Sequence, residues 1–272
     1  MARDRALLTR GLAFDDEPRE GAFLMERDRT RFDTLEADAT AGPSLLWYRF
    51  DRPTITLGRL QDPAQAFDSA ALARDGVPLV VRPTGGRAVF HVDEWTYGAV
   101  VPADHPTLGG SLRDSCRALV TVIASALHEA YGLPVEIGGS VAHGVPDAHD
   151  DGAFACFART YGHEATIRGR KLMGSAQRRG RRAYLQQGSL LVGPGHERLV
   201  RYGREPRDPS ATAQAEVGLA ARTTTLADLL GRRPDPEAFR NALARSWSTA
   251  LAPAREDKLL HEQGIARPAT SL

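Results

Sequence analysis

RPTGGRAVFHVDEWTYGAVVP, residues 82–102, sets two adjacent glycines between segments rich in β-branched and aromatic residues. Such glycines let a backbone turn through positive φ or approach a ligand closely, and Arg82 and Arg87 flank them with charge. On residue types alone a plain hairpin turn is the simpler reading, and His91 by itself reads as a packed core histidine. RAVFH (87–91) and WTYGAVV (95–101) are expected strands.

Upstream, residues 21–40 read as a helix, and LLWYRF (45–50) and TITLG (54–58) as two strands around a proline turn. A short helix at 67–74 leads to an extended PLVVR (78–82). Downstream, SLRDSCRALVTVIASALHEAY (111–131) is the best helix. Ser111 and Asp114 form a capping-box-like start, Gly132 is a C-cap, and Leu112, Cys116, Leu119, Val120, Ile123 and Leu127 share one face. Residues 138–152, GGSVAHGVPDAHDDG, read as a loop. Strands at 154–158, 162–168, 172–178 and 183–192 would make an antiparallel meander. The polar stretch 203–222 marks a subdomain boundary or a long surface loop, and the tail from 224 is helical with breaks at Gly231–Pro234 and Pro253.

The chain has 272 residues and a formal charge of +1, which argues against a coat for nucleic acid or an anionic membrane. No apolar stretch near the start resembles a signal peptide, and the longest apolar run, Leu119 to Leu127, is about half of the ~20 residues a membrane span needs. A soluble, cytoplasmic protein is therefore expected. Phosphate-loop, dinucleotide, zinc-protease and nucleophile-elbow motifs are absent. His143, His149, Asp147, Asp150 and Asp151 carry metal-ligand chemistry, but their spacing fixes no ligand geometry, so a solvated loop is the better reading and no metal is expected.

Of the 35 basic residues, 33 are arginine; lysine occurs only at Lys171 and Lys258. Arginine keeps its charge at any reachable pH, whereas a desolvated ammonium can release a proton, so a lysine retained at 171 invites a chemical reason. Cys156 leaves the irregular loop for a strand, fifteen residues earlier, a spacing that suits adjacent strands of a meander. A thiol near an ammonium ionises more easily and becomes a nucleophile. With only two lysines in the chain, accident remains the competing explanation.

The block 82–102 and CFARTYGHEATIRGRKLMGSAQRRGRRAYLQQGSLLV (156–192) resemble the lipoate/octanoate protein ligase and transferase superfamily, which includes biotin protein ligase. They are most similar to its cysteine-dependent octanoyltransferase branch, with R-x-T-G-G-R-A-V-x-H-x-x-E-x-T-Y, then C-F with a glutamate eight residues on, G-R-K and G-S-A-Q…Q-x-G-S. GAFLMERD (21–28) resembles the early N-M-A-x-D-E segment, placing Glu26 at its acidic position. RFDRPTITLGRLQ (49–61) resembles the next strand pair, and residues 223–251 the C-terminal helices. Two features depart from the pattern: the His-Asp pair is His91-Val92 here, and Arg159–His163 replaces Pro-Ser-x-Tyr.

The resemblance implies an α/β (α+β) fold with a mixed, largely antiparallel main sheet, a smaller sheet and flanking helices. It implies an N-terminal extension over 1–20, one catalytic domain over 21–251 and a tail over 252–272. The implied reaction moves octanoate from octanoyl acyl carrier protein through a thioester on Cys156 to a lysine of a lipoyl domain or glycine-cleavage H protein. No cofactor, nucleic acid or membrane is expected, and the sequence leaves the oligomeric state open, with a monomer favoured. Lys171 would hold the carbonyl and move protons. Arg82, Thr84, Gly85, Gly86, Arg87 and His91 would bind substrate, together with Gly174, Ser175, Ala176, Gln177, Gly188 and Ser189. The side chains of 87–101 and 183–192 would wall an acyl tunnel. Two alternatives share the fold: an ATP-dependent lipoate ligase, which needs no cysteine, and a relay amidotransferase between lipoyl-accepting proteins.

Overall fold

The computed structural model describes residues 11–138, 164–204 and 208–252. Its centre is the antiparallel pair of β6 (Glu94–Pro102) and β10 (Ala183–Leu191), in register over nine residues from Ala183 opposite Pro102 to Leu191 opposite Glu94. Alternate side chains leave opposite faces of a strand. Tyr97, Ala99, Val101, Tyr184 and Leu190 therefore join one core, while Val100, Ala183 and Leu185 join another. Because both faces are covered, every residue of β10 is buried and its sequence lacks the polar alternation of a half-exposed strand.

Around this pair the main sheet has the order β1-β2-β6-β10-β9-β8-β7, with β1 (Leu12–Phe14), β2 (Ser44–Tyr48), β7 (Glu136–Ile137), β8 (Ala165–Ile167) and β9 (Arg170–Arg179). Among the described strands of this sheet only β1 and β2 pair parallel. A second sheet has the order β4-β3-β5: β3 (Thr54–Leu57), β4 (Leu79–Val81) and β5 (Val89–His91). The expected mixed main sheet, smaller sheet and flanking helices are thus present. The strands expected at 45–50 and 54–58 do not pair with each other, however; Asp51–Pro53 carries the chain from one sheet to the other. Leu12 is buried against the core, so the segment expected as an N-terminal extension contributes a strand.

One face of the main sheet is covered by α4 (Leu112–Tyr131) and α7 (Pro236–Leu251). The start of α4 is the expected capping box, with Ser111 Oγ accepting from Asp114 N and Asp114 accepting from Ser111 N, and Gly132 closes it at φ 70°. Cys116, Leu119, Val120, Ile123 and Leu127 are buried as their spacing requires, but Leu112 is 50% exposed. It stands in the capped first turn, ahead of the stretch that reaches the sheet. In α7, Phe239, Leu243 and Trp247 repeat every four residues and seal the same core.

The opposite face carries α1 (Gly21–Ala37), whose buried residues Gly21, Leu24, Met25, Asp28, Phe32 and Leu35 follow the helical period. Short α2 (Pro63–Ala66) and α3 (Ser69–Arg74) pack beside the small sheet, the latter placing Ala71 and Leu72 in its core. The polar stretch 203–222 is neither boundary nor simple loop. It contains α5 (Pro209–Arg222), capped by Asp208 with proline at its first turn, and only Leu219 of it is buried. A helix with so small an apolar face lacks the periodicity by which helices are read from sequence. The tail is α6 (Leu226–Leu230) and α7, broken at Gly231 as expected, with φ 65°. Among the described residues no helix is long and apolar enough to cross a membrane.

Candidate active site

Strands β8 and β9 are joined by Arg168-Gly169, both at positive φ (52° and 70°), with Ile167 paired to Arg170. Two such residues are the pattern of the type I′ turn, whose twist matches that of its strands. The tight turn puts Lys171 opposite Thr166 and brings Glu164 within reach: Lys171 Nζ donates to Glu164 Oε1 at 2.5 Å, and both side chains are 1% exposed. The backbone is fixed as well, since Lys171 O accepts from Thr224 N at 3.0 Å. A buried ammonium is tolerable only with such charge-assisted partners. Cys156 and the histidines and aspartates of the 138–152 loop lie outside the described residues. Among the described residues no group of His, Cys, Asp or Glu could hold a metal ion. Cys116 lies in the core at 2% exposure, and burial pushes its thiol up to about 11, so it remains a protonated, unreactive thiol near neutral pH.

Three residues beyond Lys171, on the same strand, Gly174, Ser175 and Ala176 line a narrow cavity between the two sheets that opens to solvent. Arg82, His91, Gly188 and Ser189 of the expected binding residues also line it. Thr84, Gly85, Gly86, Arg87 and Gln177 do not. Thr84 Oγ1 is buried and donates to Gln187 Oε1 at 2.8 Å. Gln177 projects to the α4 face, donating to Ser115 Oγ and Gln186 Oε1 at 3.2 and 3.1 Å.

The Gly-Gly turn is held from inside. Arg82 Nη2 donates to Gly85 O (2.6 Å) and Arg87 O (2.7 Å), and Nη1 to Thr56 O (3.1 Å). Its charge thus orders the loop's carbonyls rather than standing open to a ligand. Gly86 adopts φ 84°, and a Cβ on Gly58 would fall 1.9 Å from Gly86 O, so the close approach in this turn is to another backbone.

Val89, Thr96 and Gln187 come from the two segments expected to wall an acyl tunnel, whereas Met25, Tyr48 and Thr56, which complete the lining, were missed by sequence reasoning. It also gave no role to two carboxylates, although one of them, Glu94, stands at the glutamate of the motif over 82–97. The acidic residue buried in α1 is Asp28, not Glu26, which is exposed and pairs with Arg29 at 2.9 Å. Asp28 accepts from Tyr48 Oη and Gln187 Nε2, both at 2.8 Å, and from Arg31 Nη1 at 2.9 Å. A Cβ on Gly98 would strike its carboxylate at 2.3 Å, which accounts for the glycine in the middle of β6. Burial, with the Asp28 charge beside it, holds the Tyr48 hydroxyl well above its ordinary pKa, so it stays a donor. The second carboxylate is Glu94. It accepts from His91 Nδ1, Thr96 Oγ1 and Ser189 Oγ, while His91 Nε2 bonds Thr56 Oγ1 at 2.7 Å and the imidazole stacks on Phe50.

Residues 21–248 match the family described as the lipoyl protein ligase A/B catalytic domain. A protein of Moorella thermoacetica named octanoyltransferase LipM is 34% identical over 210 residues, covering 77% of this chain and 75% of the relative. One of the same name from Kyrpidia tusciae is 32% identical over 209 residues, covering 77% and 76%. Among solved structures, the bipartite lipoate protein ligase of Thermoplasma acidophilum, described with its E2 lipoyl domain, superposes with TM-score 0.68 at 17% identity over 96% of this chain and 98% of that one. A lipoate-protein ligase A bound with ATP gives 0.62 at 18% identity, covering 92% of each.

Proposed function

The chain belongs to the lipoyl protein ligase A/B catalytic domain family, and within it we propose an octanoyltransferase of lipoate biosynthesis that works through Cys156. The observation that carries this reading is the buried Lys171–Glu164 pair, on the strand whose next residues wall the cavity between the sheets. The relatives named octanoyltransferase support the same activity.

In the proposed first step the Cys156 thiolate attacks the carbonyl carbon of octanoyl acyl carrier protein. The carrier's thiolate leaves and takes up a proton, giving an S-octanoyl enzyme. In the second, the deprotonated ε-amine of a lysine on a lipoyl domain or H protein attacks that thioester, the amide forms and the Cys156 thiolate is released. Each step passes through a tetrahedral oxyanion, for which the Lys171 ammonium is the proposed cation and the Met173–Gly174 backbone a candidate donor; one well-placed donor is worth about 3 kcal/mol. Glu164 fixes the ammonium and can accept a proton relayed from the incoming amine. The cavity takes the hydrocarbon chain.

Incubation with octanoyl carrier protein should add one octanoyl mass to the protein and none to Cys156→Ala. An adduct that persists in Cys156→Ala overturns the thioester. Pyrophosphate exchange driven by free octanoate or lipoate would instead identify an ATP-dependent ligase.

A further inference from the structure

The cavity between the sheets is lined by side chains bearing hydroxyl, amide, guanidinium and imidazole groups. Apart from Ser175 Oγ, which lies with Gln177 on the α4 side of β9, their polar atoms bond one another, Thr84, backbone carbonyls, or two carboxylates that do not line it. Glu94 takes three donors, His91 Nδ1 and Thr96 Oγ1 on Oε1 and Ser189 Oγ on Oε2. Asp28 takes the Tyr48 hydroxyl and the Gln187 amide. The remaining acceptors are used too: His91 Nε2 faces Thr56 Oγ1, Gln187 Oε1 takes Thr84 Oγ1, and the Arg82 guanidinium is spent on carbonyls. With those atoms engaged, the wall turns carbon toward the cavity, alongside Val89, Gly174 and Ala176.

We propose that Glu94 and Asp28 are specificity-determining residues: from behind the wall they hold its donors away from the cavity, so that it selects an unsubstituted hydrocarbon chain over an equal chain carrying a hydroxyl. This rests on reading the cavity as the octanoyl site. A hydroxyl buried there finds no partner, and an apolar pocket rejects such an analogue by up to about 100-fold.

Glu94→Gln tests the device with little change of shape. A glutamine has one acceptor oxygen and an NH₂ donor. With its oxygen kept on His91 and Thr96, its amide nitrogen faces Ser189 and donates to it, and the Ser189 hydroxyl hydrogen is released toward the cavity. Octanoate and octanoates hydroxylated at successive carbons are titrated calorimetrically into the full-length protein. Wild type should prefer octanoate by up to about 100-fold. In Glu94→Gln the preference should fall about tenfold against at least one hydroxylated chain. Adding Ser189→Ala should restore it.

An unchanged ratio in folded Glu94→Gln overturns the proposal, as does a wild type that binds no octanoate or does not discriminate. If Glu94→Gln does not fold, Val89→Thr introduces a hydroxyl into the same wall at constant volume and must lower the ratio; an unchanged ratio there overturns it equally. The octanoyl mass adduct is read separately, so loss of selectivity control and loss of acyl transfer are distinguishable failures.

Discussion

Lys171 and Glu164 are held together across a two-residue turn with both ends anchored, Glu164 O accepting from Gly138 N and Lys171 O from Thr224 N. Removing one partner of a buried pair costs far more than replacing both. Glu164→Ala should therefore lower stability by about 3–5 kcal/mol, whereas Glu164→Leu/Lys171→Met should recover most of it while transferring no octanoate. Denaturant midpoints and the octanoyl adduct read the two effects apart; a Glu164→Ala midpoint equal to wild type contradicts the pairing. At this scale the sequence was legible where composition singled a residue out, as with a lysine in an arginine-rich chain. Asp28 was legible too, and misread: it stands on the apolar stripe of α1 with Leu24, Phe32 and Leu35, whereas Glu26 points away. A carboxylate on a buried stripe is the signal that would have found it. Glu94 gave no such signal, because its donors come from β5, β6 and β10 and converge only once the sheets are assembled.

The turn between β9 and β10 shows how one element disciplines another. Glu36, in the last turn of α1, accepts from the backbone N–H of Arg181 (2.8 Å), Arg182 (3.0 Å) and Ala183 (2.8 Å), and a Cβ on Gly180 would fall 2.2 Å from its carboxylate. Desolvation alone would raise the Glu36 pKa, but those N–H donors, with the Arg181 charge, set it below the ordinary value. A depressed folded pKa stabilises above the unfolded value and ceases to do so as pH falls through the folded one. Glu36→Gln should thus cost up to about 1 kcal/mol at neutral pH, solvent screening limiting the effect, and the gap from wild type should close as pH falls below the ordinary glutamate range. A gap independent of pH in thermal unfolding contradicts it. The hairpin itself was readable from two strand-like runs on either side of Gly180. Its docking on α1 was not, since that contact joins residues about 145 apart. The helix in α5 escaped for a different reason, having a single buried residue to mark it.

Across the whole molecule the charges nearly cancel, at +1, so a charged partner is met by a local patch and not by a global field. The basic turn Arg178–Arg182 is the natural place to look, and the structure divides it. Arg178 lies over the Phe32 ring at 4.5 Å, and Arg179 donates to Ser115 Oγ, Gln177 Oε1 and Gly110 O, so both are used within the fold. Arg181 and Arg182 are exposed at the tip, although Arg182 Nη1 also reaches Ala37 O. Carrier proteins that are acidic would be steered to this tip, and the encounter would weaken as salt screens it over a Debye length of about 10 Å at 0.1 M. Neutralising both as Arg181→Gln/Arg182→Gln is the cleaner test, because a glutamate at either position would stand over Glu36 and disturb the turn itself. The double variant should raise KM for octanoyl carrier protein several-fold at low salt, leave kcat unchanged, and converge with wild type near 0.5 M salt, where the Debye length is only a few ångströms. Equal KM values at low salt would assign the tip to solvent and move the search for the carrier's landing site to the cavity mouth.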